Sequence, residues 1–411
     1  MFNKTISANT IEEMVLKMCE LQLHGGPDDG GIYCSPNDGL VLGNRRLALL
    51  DLTSAGHQPM QYEDRYWITY NGELYNFVEL KDDLKRLGHS FSNNTDTEVI
   101  LGAYSQWGTQ SFAKLKGMFA FALWDSLSKE LLLVRDAAGI KPLYYTHEEN
   151  GISFASELRA LSILPGIQED NDNWPVYLMA YGHLPEPVTT LKKVSPLPKG
   201  CFLKYNTNTR RFILQQFKHY SYFTKITDEA VAISNIHDRL RVSVKRHLLA
   251  DAPIGIFLSG GVDSGILSLL AAENNPEQLN SLSIYFEEEA YSEKKYQDII
   301  INKIGCKNHQ YLLKEAEFHD SFPEILDAMD MPCCDGINTW FISKYAKQQG
   351  LKAVLSGIGG DELFGGYPSF GRIGMASFLH KLPSLSTNAG RYSNLKQLNR
   401  LSYLNMDGIK G

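Results

Sequence analysis

Apolar residues recur along this chain in two textures. Near the start, Ile11, Met14, Val15, Met18 and Cys19 fall at i, i+3, i+4, i+7 and i+8. That spacing predicts one face of an amphipathic helix and makes Cys19 core filling. From Gly31 to Phe154 the pattern shortens to runs such as Leu40-Val41-Leu42 and Leu131-Leu132-Leu133-Val134, with many β-branched and aromatic residues. These predict strands, interrupted by helices around 78–87 and 98–107. A layered α+β domain over 1–165 is the expectation.

Residues 166–226 read as a connecting region, with Pro175, Pro185, Pro187, Pro196 and Pro198 concentrated there and turn and strand over 194–203. Thr227 is the expected N-cap of a helix with Asp228 and Glu229 in its first turn, and Ile236, Leu240, Val244 and Leu248 form its stripe before Pro253. Beyond it, Ile254-Gly255-Ile256-Phe257-Leu258 is a short apolar run, followed by a Gly/Ser loop and a helix expected from Ile266. Leu282, Ile284 and Phe286 alternate as a second strand. A helix around 340–349 precedes a third, Ala353-Val354-Leu355. Strand alternating with helix predicts an α/β domain over 227–411, built on a parallel doubly wound sheet.

Composition narrows the partners. With 411 residues the chain exceeds one hydrophobic core and calls for two domains. A net charge of −7 weighs against a nucleic-acid binder but leaves room for a small anion such as ATP. The six cysteines show no C-x-x-C spacing, the texture of reduced thiols rather than a zinc site. No apolar run reaches about 18 residues and the start lacks a signal-peptide core, so a soluble cytoplasmic protein with no membrane partner is expected.

Candidate chemistry sits in two loops. Ser259-Gly260-Gly261-Val262-Asp263-Ser264 lies between a predicted strand and a predicted helix. Its glycines let backbone N–H groups close around phosphate oxygens, and the helix start adds positive potential. No G-x-x-x-x-G-K-[ST] motif is present, so the loop suits pyrophosphate held with Mg2+ through Asp263 rather than γ-phosphate transfer. The alternative is a glycine-rich turn without a ligand. Ser356-Gly357-Ile358-Gly359-Gly360-Asp361-Glu362-Leu363-Phe364-Gly365-Gly366-Tyr367 also follows a strand. Asp361 and Glu362 there are either a second magnesium position or structural acids.

These two loops resemble the synthetase domain of glutamine-dependent asparagine synthetases. The front half resembles the same family's N-terminal-nucleophile (Ntn) amidotransferase domain through Gly26-Pro27-Asp28-Asp29-Gly30, Arg46-Leu47-Ala48-Leu49-Leu50-Asp51, Asn71-Gly72-Glu73-Leu74-Tyr75-Asn76, Asp96-Thr97-Glu98 and Gly139-Ile140-Lys141-Pro142. The resemblance implies an αββα sandwich followed by a pyrophosphatase-loop (PP-loop) sheet. It implies an ATP-dependent ligase that adenylates a carboxylate, aspartate in the family, and amidates it with ammonia from glutamine. Arg46 would pair with the glutamine carboxylate, and Leu47, Leu50 and Glu73 would contact it. Asn71 and Gly72 would be oxyanion donors, and Asp96 would meet the ammonium. Leu258 and Ile284 would line the adenine and ribose pocket, Ser356 and Gly357 would touch the nucleotide, and Ser259, Gly260, Gly261, Asp263 and Ser264 would hold pyrophosphate. Metal positions fall at Asp263 and Asp361. The implied partners are small molecules only; a homodimer is compatible with the resemblance.

The chain departs from the family pattern in three places. It begins Met1-Phe2 where the family carries a cysteine whose α-amine serves as base, and the short strand bearing that cysteine is expected to be missing. Neither Cys19 nor Cys34 supplies such an amine, so glutamine hydrolysis by the chain as written is not expected. Ile358 stands at the acceptor site where the family commonly has an acid, which opens the choice of carboxylate; packing behind the loop is its plain alternative. The chain ends at Gly411 where the family usually continues. A non-catalytic nucleotide-binding paralogue acting through interaction is the contrasting reading.

Overall fold

In a computed structural model the described residues are 1–218, 225–273 and 279–373. Parts of the expected connecting region (219–224) and of the second domain (274–278 and 374–411) lie outside them. Residues up to Leu355 form one unit, and those from Ser356 form a second.

The first unit opens with two six-stranded antiparallel sheets. One runs in the order Ser195–Pro196, Tyr144–Glu148, Gly151–Ala155, Phe2–Asn3, Leu40–Arg46, Asp29–Ser35; the other runs Arg211–Gln216, Cys201–Asn206, Glu130–Arg135, Gly117–Asp125, Tyr66–Leu74, Met60–Tyr62. Alternation in the strands shows how they stack. Leu131 and Leu133 join Ala120, Ala122, Trp124, Leu40, Leu42 and Phe2 in a core between the sheets. Leu132 and Val134 point the other way, into a core with Phe119, Phe121, Leu80, Leu84, Val99 and Leu101. That outer core is roofed by helices Phe77–Arg86 and Asp96–Trp107. Helix Ala8–Leu21 covers the other sheet, burying Ile11, Val15 and Met18 with Val41, Ala155 and Leu161. The result is four layers, αββα. An antiparallel sheet usually keeps one wet face; here both sheets lose it, which is why their strands read as continuous apolar runs.

Several expectations are corrected. The short first strand is present: Phe2 pairs with Leu40 on one side and Ile152 on the other. Two residues are too few for periodicity to register. The turn and strand expected over 194–203 are present as Ser195–Pro196 in one sheet and the start of Cys201–Asn206 in the other, while Arg211–Gln216, read only as connection, adds a further strand. Trp174–Tyr181 is helical with Pro175 in its first turn.

The second sheet system is parallel: Lys307–Leu312, Asn280–Tyr285, Ile254–Phe257, Ala353–Leu355. Chain order reverses beside Ile254–Phe257, the topological switch point where open α/β sheets bind ligands at their carboxyl edge. Lys307–Leu312 escapes sequence reading because Lys-Asn-His-Gln lacks an apolar alternation. The long helix runs Glu229–His247, and its N-cap is Asp228, not Thr227; the Asp228 carboxylate accepts from the Val231 amide at 3.0 Å. Leu240, Val244 and Leu248 pack with Ile256 and Leu270. The helix expected from Ile266 begins at Val262, because Gly261 takes the extended N-cap conformation directly after the loop. Phe286 lies just beyond the strand that ends at Tyr285.

Substituting Leu133, buried between the sheets, by alanine is expected to cost about 2–5 kcal/mol in urea denaturation. Leu127→Ala, at a side chain 73% exposed, is expected to change it by less than ~0.5 kcal/mol.

Candidate functional site

A cavity of about 250 Å³ lies against both antiparallel sheets. All seven residues assigned to glutamine from the sequence, Arg46, Leu47, Leu50, Asn71, Gly72, Glu73 and Asp96, line it. Asn71, Gly72 and Glu73 end the strand Tyr66–Leu74, and Asp96 begins a helix whose N-cap Thr95 accepts from the Glu98 amide at 3.3 Å. Gly72 is required by close approach: a Cβ there would run into the Met118 carbonyl oxygen of the neighbouring strand. The Arg46 guanidinium donates to the carbonyls of Thr53 (3.1 Å), Leu50 (3.0 Å) and Asp51 (2.6 Å), so it also shapes the loop that follows it.

The carboxylates set the electrostatics. Asp96 is buried; one of its oxygens accepts from the Tyr70 hydroxyl and the Leu74 amide, each at 2.8 Å. Burial nevertheless raises its pKa. Glu73 is pushed up to about 8, chiefly by burial and then by Asp96, against the pull of Lys141 and Arg46. Lys141 is lowered by its own burial. In the sequence Lys141 stands in a motif that assigns it no role, and nothing marks Tyr70. Both follow from position: Tyr70 precedes Asn71 on the same strand, and Lys141 ends a loop organised by Asp136. That fully buried carboxylate accepts from the amides of Phe119, Ala138, Ile140 and Lys141 at 3.0–3.2 Å.

Met1 and Cys19 line the same cavity. The Cys19 Sγ lies 2.6 Å from where a Cβ on Gly43 would sit, so Cys19 fills space as expected and also borders the cavity. Burial raises the thiol pKa of both Cys19 and Cys34, an environment that disfavours the thiolate.

The loop Ser259–Ser264 leaves the carboxyl end of Ile254–Phe257. Its two serine hydroxyls lie 2.9 Å apart, and the Gly261 amide donates to Ser259 Oγ at 3.2 Å. Gly260 sits at φ +99°, and a Cβ on it would lie 2.9 Å from Glu293 Cβ. The N-cap of the helix Val262–Ala272, Gly261, makes no side-chain bond to the first turn, and Asp263 in that turn is half-buried. Leu258 is buried and donates to the Leu282 carbonyl at 2.8 Å. Ile284 packs against Ile325, Phe341 and Tyr345.

In the second unit, the Ile358 amide donates to Ser356 Oγ at 3.3 Å and the Gly360 amide to the Gly357 carbonyl at 3.1 Å. Asp361 begins the helical turn Gly360–Phe364, and the Tyr367 hydroxyl donates to Glu362 at 3.0 Å. Ile358 is 82% exposed. Among the described residues no three His, Cys, Asp or Glu side chains gather as metal ligands.

Comparison with known proteins shows the family. Residues 3–220 match the family model described as glutamine amidotransferase domain, and residues 235–407 that described as asparagine synthase. The chain belongs to the glutamine-hydrolysing asparagine synthetase family. It is 35% identical to asparagine synthetase (glutamine-hydrolyzing) 1 of Bacillus subtilis over 89% of its length and 58% of that protein's. For putative asparagine synthetase (glutamine-hydrolyzing) 2 of Methanocaldococcus jannaschii, identity is 32%, covering 91% of this chain and 76% of the relative. Asparagine synthetase B of Escherichia coli matches at 29%, over 92% and 66%. This family member thus spans under three-fifths of the length of the Bacillus relative.

The Glu73 environment gives this synthetase-family chain a pH signature. Folding favours protonated Glu73, so the stability this group contributes is full below about pH 4.5 and lost as pH rises toward about 8. Glu73→Gln is expected to melt above the parent at pH 8, with the two thermal midpoints converging at pH 4. Parallel melting curves across that range would contradict the placement.

Proposed function

We propose that this chain is an ATP-dependent amide-forming ligase that amidates with ammonia. Its cavity is proposed to bind glutamine, and hydrolysis of that glutamine by the chain as written is not expected, because Met1 stands in the cavity wall where the family carries its nucleophilic cysteine. The observation that carries the reading is the pairing, in one chain and in family order, of the glutamine-type cavity with a PP-loop at the switch point of a parallel sheet.

In the cavity, an amino acid would set its carboxylate toward Arg46 and its ammonium toward Asp96, with Asn71 and the Gly72 amide beside the side-chain carbonyl as oxyanion donors. Glu73 and Lys141 complete the polar wall. In the parallel domain, the uncapped amides after Gly261 and the Ser259 and Ser264 hydroxyls suit a pyrophosphate group, with Leu258 and Ile284 forming the apolar side for a base and ribose. A carboxylate oxygen would attack the α-phosphorus of ATP, expelling pyrophosphate and leaving an acyl-adenylate. Ammonia would then add its lone pair to the acyl carbon, lose a proton, and AMP would depart.

Half-buried Asp263, in the first turn after the loop, would hold a magnesium ion together with the phosphate oxygens. The ion would neutralise phosphate charge; the chain's own share is to hold the phosphates on the loop. Asp361, at the start of its own turn, is the second proposed metal contact. Ser356 and Gly357 are proposed to touch the nucleotide.

The acceptor is open at Ile358. An exposed isoleucine can neither transfer a proton nor pair with a charge, and general acid–base help is worth about 10²–10⁴ in rate. Aspartate is therefore expected to support ATP/pyrophosphate exchange while giving little asparagine, with Ile358→Glu restoring amidation. Robust asparagine formation by the parent chain would remove Ile358 from the acceptor argument.

ATP with magnesium is expected to raise the thermal midpoint of the parent chain, since a ligand at 100 times its Kd stabilises by about 2.7 kcal/mol. Asp263→Ala is expected to abolish that shift. A parent chain with no ATP-dependent shift, and no exchange with any carboxylate, would favour the non-catalytic interaction role instead.

A further inference from the structure

One buried side chain ties the two halves of the proposed ATP site together. Gln297, on the helix Lys294–Ile304, is 1% exposed. Its amide nitrogen donates to the Ser259 carbonyl at 3.1 Å and to the Ile284 carbonyl at 2.9 Å. The carboxamide oxygen is buried without a hydrogen-bond partner.

The geometry explains why such a group is needed. Strands Ile254–Phe257 and Asn280–Tyr285 stay in register as far as Phe257 opposite Leu282, and the Leu258 amide makes the next bond, to the Leu282 carbonyl. Beyond that point the chain after Leu258 turns into the phosphate loop, while the other strand runs on to Ile284. Two carbonyls are left at the mouth, where Ser259 is exposed and Ile284 half-buried, and the buried Gln297 side chain reaches both. A carboxamide –NH2 carries two donors, one for each. Turning the amide over would set an oxygen against both carbonyls, so the partners fix its orientation. An orphaned buried acceptor is itself costly, and a side chain serving only to fill the space would be apolar.

We propose that Gln297 is a positioning residue for ATP: it sets the spacing between the phosphate loop at Ser259 and the base-side strand end at Ile284. This rests on the reading of these segments as the two halves of a nucleotide site. A ligand that spans both halves depends on the bridge, whereas a ligand that occupies one half does not.

The test exploits that difference. Binding of ATP, inorganic pyrophosphate and adenosine, each with magnesium, is measured by titration calorimetry on the full chain and on Gln297→Leu. Removing two hydrogen bonds is expected to weaken ATP about tenfold or more. Pyrophosphate and adenosine are expected to stay within about twofold of the parent. A parallel fall of all three ligands, or no change in ATP, overturns the bridge while leaving the nucleotide site intact. A parent chain that binds none of the three overturns the site reading itself, and the bridge with it. Should Gln297→Leu fail to fold, the flexible Gln297→Met carries the same comparison; failure of both makes the amide a folding determinant and refutes the proposal.

Discussion

Leu131, Leu132, Leu133 and Val134 follow one another along a single strand, and all four side chains are fully buried. Successive residues of a strand point to opposite faces, so this is possible only if the sheet is covered on both sides. Most else in the first half follows from that. The second sheet must lie on one face, the helices Phe77–Arg86 and Asp96–Trp107 on the other, and the partner sheet needs its own cover in Ala8–Leu21. With the middle of the sandwich given to apolar packing, polar chemistry is pushed to strand ends and the loops beyond them. Asn71, Gly72 and Glu73 close one strand, Arg46 closes another, and Asp96 opens a helix. The cavity is where these ends meet.

The loops around that cavity are not free to choose their shape. Arg46 gathers three carbonyls of its own loop, and Asp28 accepts from the Ala48 amide at 2.8 Å and from Lys352 at 2.5 Å. The Leu49 carbonyl accepts from the Asp251 and Ala252 amides, while the Asp251 carboxylate accepts from the Asp51 amide at 2.8 Å. Asp251 and Ala252 lie just before the strand Ile254–Phe257 that leads into the Ser259–Ser264 loop, and Lys352 lies just before its neighbour Ala353–Leu355. A second tie runs from Asp330 to the amides of Leu158 and Arg159, at 2.6 and 2.8 Å, next to cavity-lining Glu157. The segments framing the cavity and those feeding the parallel sheet are therefore joined by short backbone-anchored bonds. Loss of one partner in such a contact leaves a polar group unpaired, which costs more than the bond itself contributes.

Much of this was legible in the chain itself. A 3.6-residue period marked the helix Ala8–Leu21, apolar runs marked the strands, and the change to alternating strand and helix after Pro253 marked the parallel sheet, because hydrophobic period is a local property. The seven cavity residues were reachable through the family resemblance, which is carried by the short motifs they lie in. Tertiary structure decided the rest. Phe2–Asn3 is too short to show a period and becomes a strand only between two longer ones. Lys307–Leu312 is polar and is held in the sheet by its neighbour's ladder. Tyr70 and Lys141 acquire meaning only when the strand and the Asp136-organised loop converge on Glu73, whose raised pKa is a product of burial and of Asp96. Gln297 sits on an amphipathic helix where sequence would leave it unremarked. Its role comes from two carbonyls that diverge where two parallel strands part, and only the folded backbone brings those to one place.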